Sequence, residues 1–246
     1  FNLVQNIFDE NKKDPIFQTT LFGKKIDNPI GIAAGFDKNA EVYNPLFKLG
    51  FGFVEVGTIT PIKQYGNQKP RIFRLEEDKA LINRLGFNNF GSDNVSSRIR
   101  SNSPIGPLGI NIGPNSNTKN RLEDYLICLR KFYDIADYIT INISSPNTEN
   151  LRDLHDQNKL EELISAIDEE KKKLKAKTPI VLKISPDIFN EEVKKISEIL
   201  LSHQIKAIII SNTTDMNRDK LESSSRYQKG GLSGKPLETR SNQLIN

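Results

Sequence analysis

Short apolar runs rich in β-branched residues recur along this chain, separated by segments with helical spacing, and no other feature constrains its fold as strongly. The runs fall at residues 29–34, 52–58, 108–112, 138–143, 180–184 and 207–211. Each is nearly continuous in apolar side chains, the pattern of strands covered on both faces in a parallel sheet. Between them, residues 39–49, 122–132, 160–174 and 191–201 place apolar side chains three and four apart, which buries one helical face. Strand–helix alternation of this kind predicts an α/β fold with parallel pairing. Segment 71–87 breaks the alternation and reads as an inserted extended excursion that turns at Glu76-Glu77-Asp78.

Parallel sheets come as open doubly wound sheets or as closed barrels. No G-x-G-x-x-G opens a helix after the first run, and no G-x-x-x-x-G-K-[ST] occurs anywhere, which argues against the open nucleotide-binding folds. Polar residues gather instead at the carboxyl end of every run, where a (β/α)8 TIM-type barrel builds its active site. Six runs leave such a barrel two strands short. The sequence starts at Phe1 and stops at residues 241–246, part-way into a helical pattern, so both ends read as cut. The expected organisation is a remnant of an N-terminal region over 1–22, followed by one barrel domain over 23–246 that lacks its last two strands.

Composition narrows the functional classes. With 36% hydrophobic and 27% charged residues the chain is globular, and its 15 Gly and 12 Pro exclude collagen-like and low-complexity classes. A single cysteine excludes an internal disulfide and favours a reducing compartment. No apolar run reaches the about 18 residues that a membrane span needs. The net charge of +4 is spread along the chain and gives little argument for nucleic acid. Cys128 within Leu126-Ile127-Cys128-Leu129 reads as a small core residue, and His155 and His203 as isolated local hydrogen bonders. Lys171-Lys172-Lys173 reads as a solvated helix end.

The chemistry lies at the strand ends. They carry Ala33-Ala34-Gly35-Phe36-Asp37-Lys38, then Thr58, then Asn111, then Asn142-Ile143-Ser144-Ser145-Pro146-Asn147-Thr148, then Lys183, then Ser211-Asn212-Thr213-Thr214. The excursion ends in Asn83-Arg84-Leu85-Gly86-Phe87-Asn88, and Gly230-Gly231-Leu232-Ser233-Gly234 follows in a loop. Converging carboxamides supply donors and acceptors together and suit a flat heterocycle with alternating N–H and C=O groups. A lysine in or just after a buried strand is costly unless it meets an anion. Ala33, Ala34 and Gly35 let backbone approach a ring closely. No His/Asp/Glu cluster with metal-ligand spacing is present, so metal-assisted hydrolysis is not expected and no metal ligand is named.

Those segments, together with Gly230-Gly231-Leu232-Ser233-Gly234-Lys235-Pro236-Leu237, resemble dihydroorotate dehydrogenase of the membrane-associated, quinone-using class, in order and spacing from about Leu21 onward. The resemblance implies FMN-dependent oxidation of dihydroorotate to orotate in pyrimidine biosynthesis. It implies Ser145 as the base that takes the proton at ring carbon five. It places Lys38, Asn83, Arg84, Leu85, Gly86, Phe87, Asn142, Asn147, Asn212 and Thr213 against the substrate. It places Ala34, Gly35, Phe36, Asp37, Lys38, Thr58, Asn111, Asn142, Lys183, Ser211 and Gly234 against FMN. The loop after Ser145, through residues 150–155, would form a lid.

Ser145 sets the class, because the soluble classes that resemble this one place a cysteine at that position. Membrane quinone is then the implied acceptor. Peripheral attachment follows, at the cytoplasmic face of a bacterial inner membrane or at a mitochondrial inner membrane, through a region preceding this chain. Pro114 stands where relatives often carry a lysine. Two other readings stay open on the residues: a non-catalytic remnant that keeps the pyrimidine pocket, and a soluble relative using fumarate or a nicotinamide.

Overall fold

The structure, a computed structural model, describes residues 14–203, 205 and 207–245 of the 246. The expected N-terminal remnant is therefore described only from residue 14 onward; residues 1–13 lie outside the described residues. Strands β1 (Thr19–Leu21) and β2 (Lys24–Ile26) form an antiparallel hairpin. Its two-residue turn puts Phe22 at φ 49° and Gly23 at φ 82°, the doubly left-handed turn that matches strand twist. The hairpin straddles the boundary expected at 22/23. It covers the amino ends of the strands that follow, with Phe22 against the Tyr138 ring at 5.3 Å and Lys24 paired with Asp137.

Along the chain follow β3 (Gly31–Ile32), α1 (Tyr43–Lys48) and β4 (Phe53–Ile59). Next come β5 (Ile72–Leu75), β6 (Ala80–Asn83), α2 (Ser92–Ser101), β7 (Leu108–Ile112) and α3 (Arg121–Phe132). Then come β8 (Tyr138–Asn142), α4 (Gln157–Leu174), β9 (Ile180–Lys183), α5 (Asn190–Ser202) and β10 (Ala207–Ile209). Strand β11 (Gly231–Gly234) and helix α6 (Lys235–Ile245) close the described chain. Six strands form one all-parallel sheet in the order β10-β9-β8-β7-β4-β3, with helices packed on its outer face. The parallel barrel-type sheet expected from the alternating runs is present.

Alternation along the buried strands sorts their side chains by chemistry. Val54, Val56, Ile110, Ile112, Ile139, Ile141 and Leu182 belong to the core shared with the helices. The intervening positions are Glu55, Asn111, Tyr138, Thr140, Asn142 and Lys183, with Val181 as the apolar exception, all buried. Side chains of successive strand residues point to opposite faces, so the inner face of the sheet is polar. Gly109 leaves room on that face for the Tyr138 ring, since a Cβ there would stand 2.1 Å from Tyr138 Cζ. In β4 the register slips between Val56 and Ile59: the three steps from Val56 to Ile59 oppose the two from Ile110 to Ile112. This one-residue bulge returns Ile59 to the core and turns the Thr58 hydroxyl toward Asn111.

The expected excursion over 71–87 is the antiparallel pair β5–β6, extended by β11 into a three-stranded sheet with its own small core of Leu75, Ile82, Leu221 and Leu232. Residues 231–234, read from sequence as loop, are a strand because β6 offers them a free edge. Gly231 also sits where a Cβ would collide with Thr213 Oγ1 at 1.8 Å, so the small sheet lies directly against the end of β10. Helix α2 escaped the sequence reading because only Val95 and Ile99 are large buried apolar residues in its ten. Helix α1 begins four residues later than expected, after Ala40 at φ 54°.

Candidate functional site

Every parallel strand runs toward one cavity of about 230 Å³ at the carboxyl ends of the sheet, roofed by residues 83–87 and by the start of α6. Fifteen of the residues expected at a site line it: Ala34, Gly35, Lys38, Thr58, Asn83, Leu85, Gly86, Phe87, Asn142, Ser145, Asn147, Lys183, Ser211, Asn212 and Thr213. They come from all six strand ends except that of β7, and from the excursion. Two further lining residues, Ser233 and Leu237, lie in the quoted glycine-rich segment but were not singled out. They stand four residues apart across the β11–α6 junction, a spacing that becomes informative only once α6 is known to begin at Lys235.

Five expected contact residues lie outside the lining, four of them with a local task. Asp37 is buried and accepts from the Glu41 and Val42 N–H groups at 2.8 Å, fixing the turn that leads into α1. Phe36 is 68% exposed. Arg84 points away, donating to Gln228 Oε1 and the Lys229 carbonyl at 3.1 Å and lying over the Phe73 ring. Gly234, at φ 94°, gives β11 its close approach to the Lys79 carbonyl. Asn111 is fully buried behind Thr58 and Asn142.

Two serines adjoin in the segment after β8, and the structure separates them. Ser144 is fully buried and saturated: its Oγ donates to Asn142 Oδ1 at 2.8 Å and accepts from Asn212 Nδ2 at 2.9 Å. Ser145 faces the cavity, and its Oγ accepts from the Asn147 backbone N–H at 3.2 Å. The Asn147 carboxamide in turn donates to the Asn83 carbonyl at 3.1 Å, tying this segment to the end of β6. No imidazole reaches Ser145. His155 Nδ1 meets the Arg152 carbonyl at 2.8 Å and its Nε2 accepts from the Ser185 N–H, and burial holds its pKa below the ordinary histidine value. His203 joins Asp168 between α5 and α4, and Cys128 is fully buried. All three have the local, structural placement expected of them.

The segment expected as a lid is a short 3-10 turn, Leu151–His155. Arg152 fastens it, donating to the Ser144 and Thr213 carbonyls and to the carboxylates of Asp187 and Asp215.

The electrostatics of the cavity are cationic. Lys183 is 8% exposed and Lys38 half-buried, and among the described residues neither has a carboxylate within ion-pair distance. Burial, then the charges of Arg71 and Lys183, pull Lys38 down to about 8. No cluster of three potential metal ligands occurs among the described residues. The arrangement can bind a small, flat, anionic molecule through carboxamides, hydroxyls and two ammonium groups.

A parallel α/β barrel sheet with a polar cavity at its strand ends defines the class of barrel enzymes that act on small molecules. The family model described as "Dihydroorotate dehydrogenase" matches residues 16–246. Among curated relatives, dihydroorotate dehydrogenase (quinone) of Idiomarina loihiensis is 47% identical over 231 residues, covering 92% of this chain and 69% of that protein. The protein of the same name from Haemophilus ducreyi is 50% identical over the same shares of both chains. The one from Bartonella henselae is 49% identical, with 92% of this chain and 64% of that protein covered. The crystal structure of DHODH from Eimeria tenella in complex with ferulenol superposes with a TM-score of 0.92 at 36% identity, covering 100% of this chain and 75% of that one. This chain belongs to the dihydroorotate dehydrogenase family. It spans about two thirds of the length of the curated relatives it matches.

Proposed function

We propose that this chain carries the oxidation site of a quinone-dependent dihydroorotate dehydrogenase, which converts (S)-dihydroorotate to orotate in de novo pyrimidine biosynthesis with FMN as cofactor. The observation that carries the reading is the pair of lysines facing one cavity without a protein counter-ion among the described residues. Two ammonium groups so placed call for an anionic ligand, and the carboxamides around them call for a ring with alternating donors and acceptors. The cavity suits a flavin by the same chemistry: Ala34 and Gly35 offer little but backbone, Thr58 and Asn142 offer mixed hydrogen bonding, and Lys183 offers a positive charge.

In this reading Lys38 meets the substrate carboxylate, and Asn83, Asn142, Asn147, Asn212 and Thr213 hold the pyrimidine edges. Residues 84–87 shape the roof above it. Ala34, Gly35, Thr58, Lys183 and Ser211 hold FMN, with Phe36, Asp37, Asn111 and Gly234 supporting that side. The chemistry supplied by bound FMN is acceptance of the hydride from ring carbon six. Ser145 Oγ takes the proton from ring carbon five, so the bond between the two carbons becomes double. As Ser145 Oγ takes that proton its own hydroxyl proton leaves through a threonine or water relay, and the Asn147 N–H at 3.2 Å stabilises the alkoxide character of the oxygen while it does so.

Quinone as the acceptor is supported by Ser145, where the soluble classes resemble this one but carry cysteine, and by the names of the relatives. We place the protein peripherally at the cytoplasmic face of a bacterial inner membrane; no helix among the described residues is long and apolar enough to cross a membrane. The domain reading is one FMN-binding barrel from residue 23 onward, with residues 1–22 assigned to the segment before it. The test is orotate formation with a soluble quinone, fumarate or NAD as alternative acceptors. Turnover with quinone alone is expected. Equal turnover with fumarate or NAD would overturn the class.

A further inference from the structure

Beneath the cavity, and not lining it, lies a carboxylate that the reaction itself does not use. Glu55 on β4 is 3% exposed. Its Oε1 accepts from Asn111 Nδ2 at 2.8 Å, and its Oε2 accepts from Thr140 Oγ1 at 2.8 Å. Beyond Asn111 the network runs upward. Asn111 Oδ1 accepts from Thr58 Oγ1 at 2.7 Å and from Asn142 Nδ2 at 3.2 Å, and Asn142 Nδ2 also donates to Thr58 Oγ1 at 3.1 Å. On its other side Asn142 Oδ1 accepts from Ser144 Oγ, which accepts from Asn212 Nδ2.

We infer that Glu55 is a positioning residue whose carboxylate fixes which way the Asn111 and Asn142 carboxamides face, and so sets the hydrogen-bond polarity the cavity presents to its ligand. The oxygen and nitrogen ends of a carboxamide have nearly the same shape, so packing alone does not choose between them. An ionised carboxylate only accepts. Turning Asn111 over would bring Oδ1 against Glu55 Oε1, two buried oxygens with no proton between them. With Asn111 held, its Oδ1 draws Asn142 Nδ2 downward, while the Ser144 backbone N–H at 3.2 Å and hydroxyl at 2.8 Å meet Asn142 Oδ1 from the other side, so both ends of Asn142 agree on one orientation. Thr58 and Asn142 both line the cavity, while Glu55 and Asn111 do not. The carboxylate below the site therefore biases donor and acceptor positions two residues above it, and the Ser144 N–H reinforces the same choice.

The ligand's identity here rests on the functional reading above, but the orientation of the amides does not, and the experiment separates the two. The 246-residue chain, wild type and E55Q, is labelled with 15N-asparagine, and its side-chain amide signals are followed by NMR. Flavin-loaded samples of both are titrated with orotate by difference spectroscopy. Glutamine keeps the size of Glu55 but can offer Asn111 either end. The expected E55Q protein melts near wild type, shows shifted or doubled Asn142 amide signals, and binds orotate about tenfold more weakly. In E55Q/N111D the new carboxylate accepts from the introduced glutamine amide, from Thr58 and from Asn142, restoring the original direction. That protein is expected to regain a single Asn142 signal and to bind orotate more tightly than E55Q.

An E55Q protein with an unshifted Asn142 amide and orotate affinity within about twofold of wild type contradicts the inference. So does a lower melting temperature as the only change, because that describes a purely structural residue. If E55Q does not fold, E55Q/N111D decides: a folded double variant with one Asn142 signal supports the inference, and an unfolded one overturns it. Wild-type protein that ignores orotate would sink the functional reading, leaving the amide signals to judge Glu55.

Discussion

At the scale of single residues, Lys38 and Ser145 carry the most direct consequences. Burial, with Arg71 and Lys183 nearby, brings Lys38 down to about 8, so it is an ammonium below that pH and a neutral amine above it. A carboxylate ligand favours the ammonium. The dissociation constant for orotate should therefore be level below pH 8 and rise about tenfold per pH unit above it. K38M should bind weakly throughout and lose the slope. A wild-type profile that stays level to pH 10 would remove Lys38 from the carboxylate. Ser145 is the one of the adjoining serines that faces the cavity, and no imidazole supports it. S145A should retain flavin and slow its reduction by dihydroorotate by orders of magnitude in stopped-flow traces. Near wild-type reduction in that variant would assign the proton transfer elsewhere.

At the scale of elements, the segment after β8 owes its place to Arg152. That guanidinium bonds two carbonyls and two carboxylates at 3.0–3.3 Å, spanning the ends of β8, β9 and β10. R152A leaves Asp187 and Asp215 facing each other without a cation. The loss should be about 2 kcal/mol, below the range for fully buried pairs because Asp215 is half exposed. Amide hydrogen exchange over residues 146–155 should speed up more than elsewhere, and unchanged exchange there would rule out a fastening role. The elements themselves were legible in the sequence wherever a period was strong. β7, β8 and β9 fall within a residue of the expected runs, and α3 and α4 follow their apolar spacing. What sequence could not show needed a neighbour: β11 is a strand only because β6 offers an edge, and α2 hides because so few of its residues are apolar. The bulge in β4 that aims Thr58 leaves no mark in composition at all.

At the scale of the whole molecule, a sheet with an apolar outer face and a polar inner face turns six strand ends toward one cationic cavity. Eleven of the lining residues were legible at the ends of the parallel runs, which converge in a barrel wherever they lie in the chain, while Asn83, Leu85, Gly86 and Phe87 were expected there from the excursion's end and the family resemblance. Asn111 and Asp37 lie outside the cavity lining, each hydrogen-bonded to a neighbour, because a strand position does not reveal what another side chain covers. One claim stands above the others, that this cavity oxidises dihydroorotate by way of a flavin. Anaerobic addition of dihydroorotate to the purified, flavin-loaded chain, with the visible spectrum recorded, tests it most directly. Bleaching of the flavin, with colour returning on addition of a quinone, is the result expected. A yellow protein that dihydroorotate leaves yellow would contradict it.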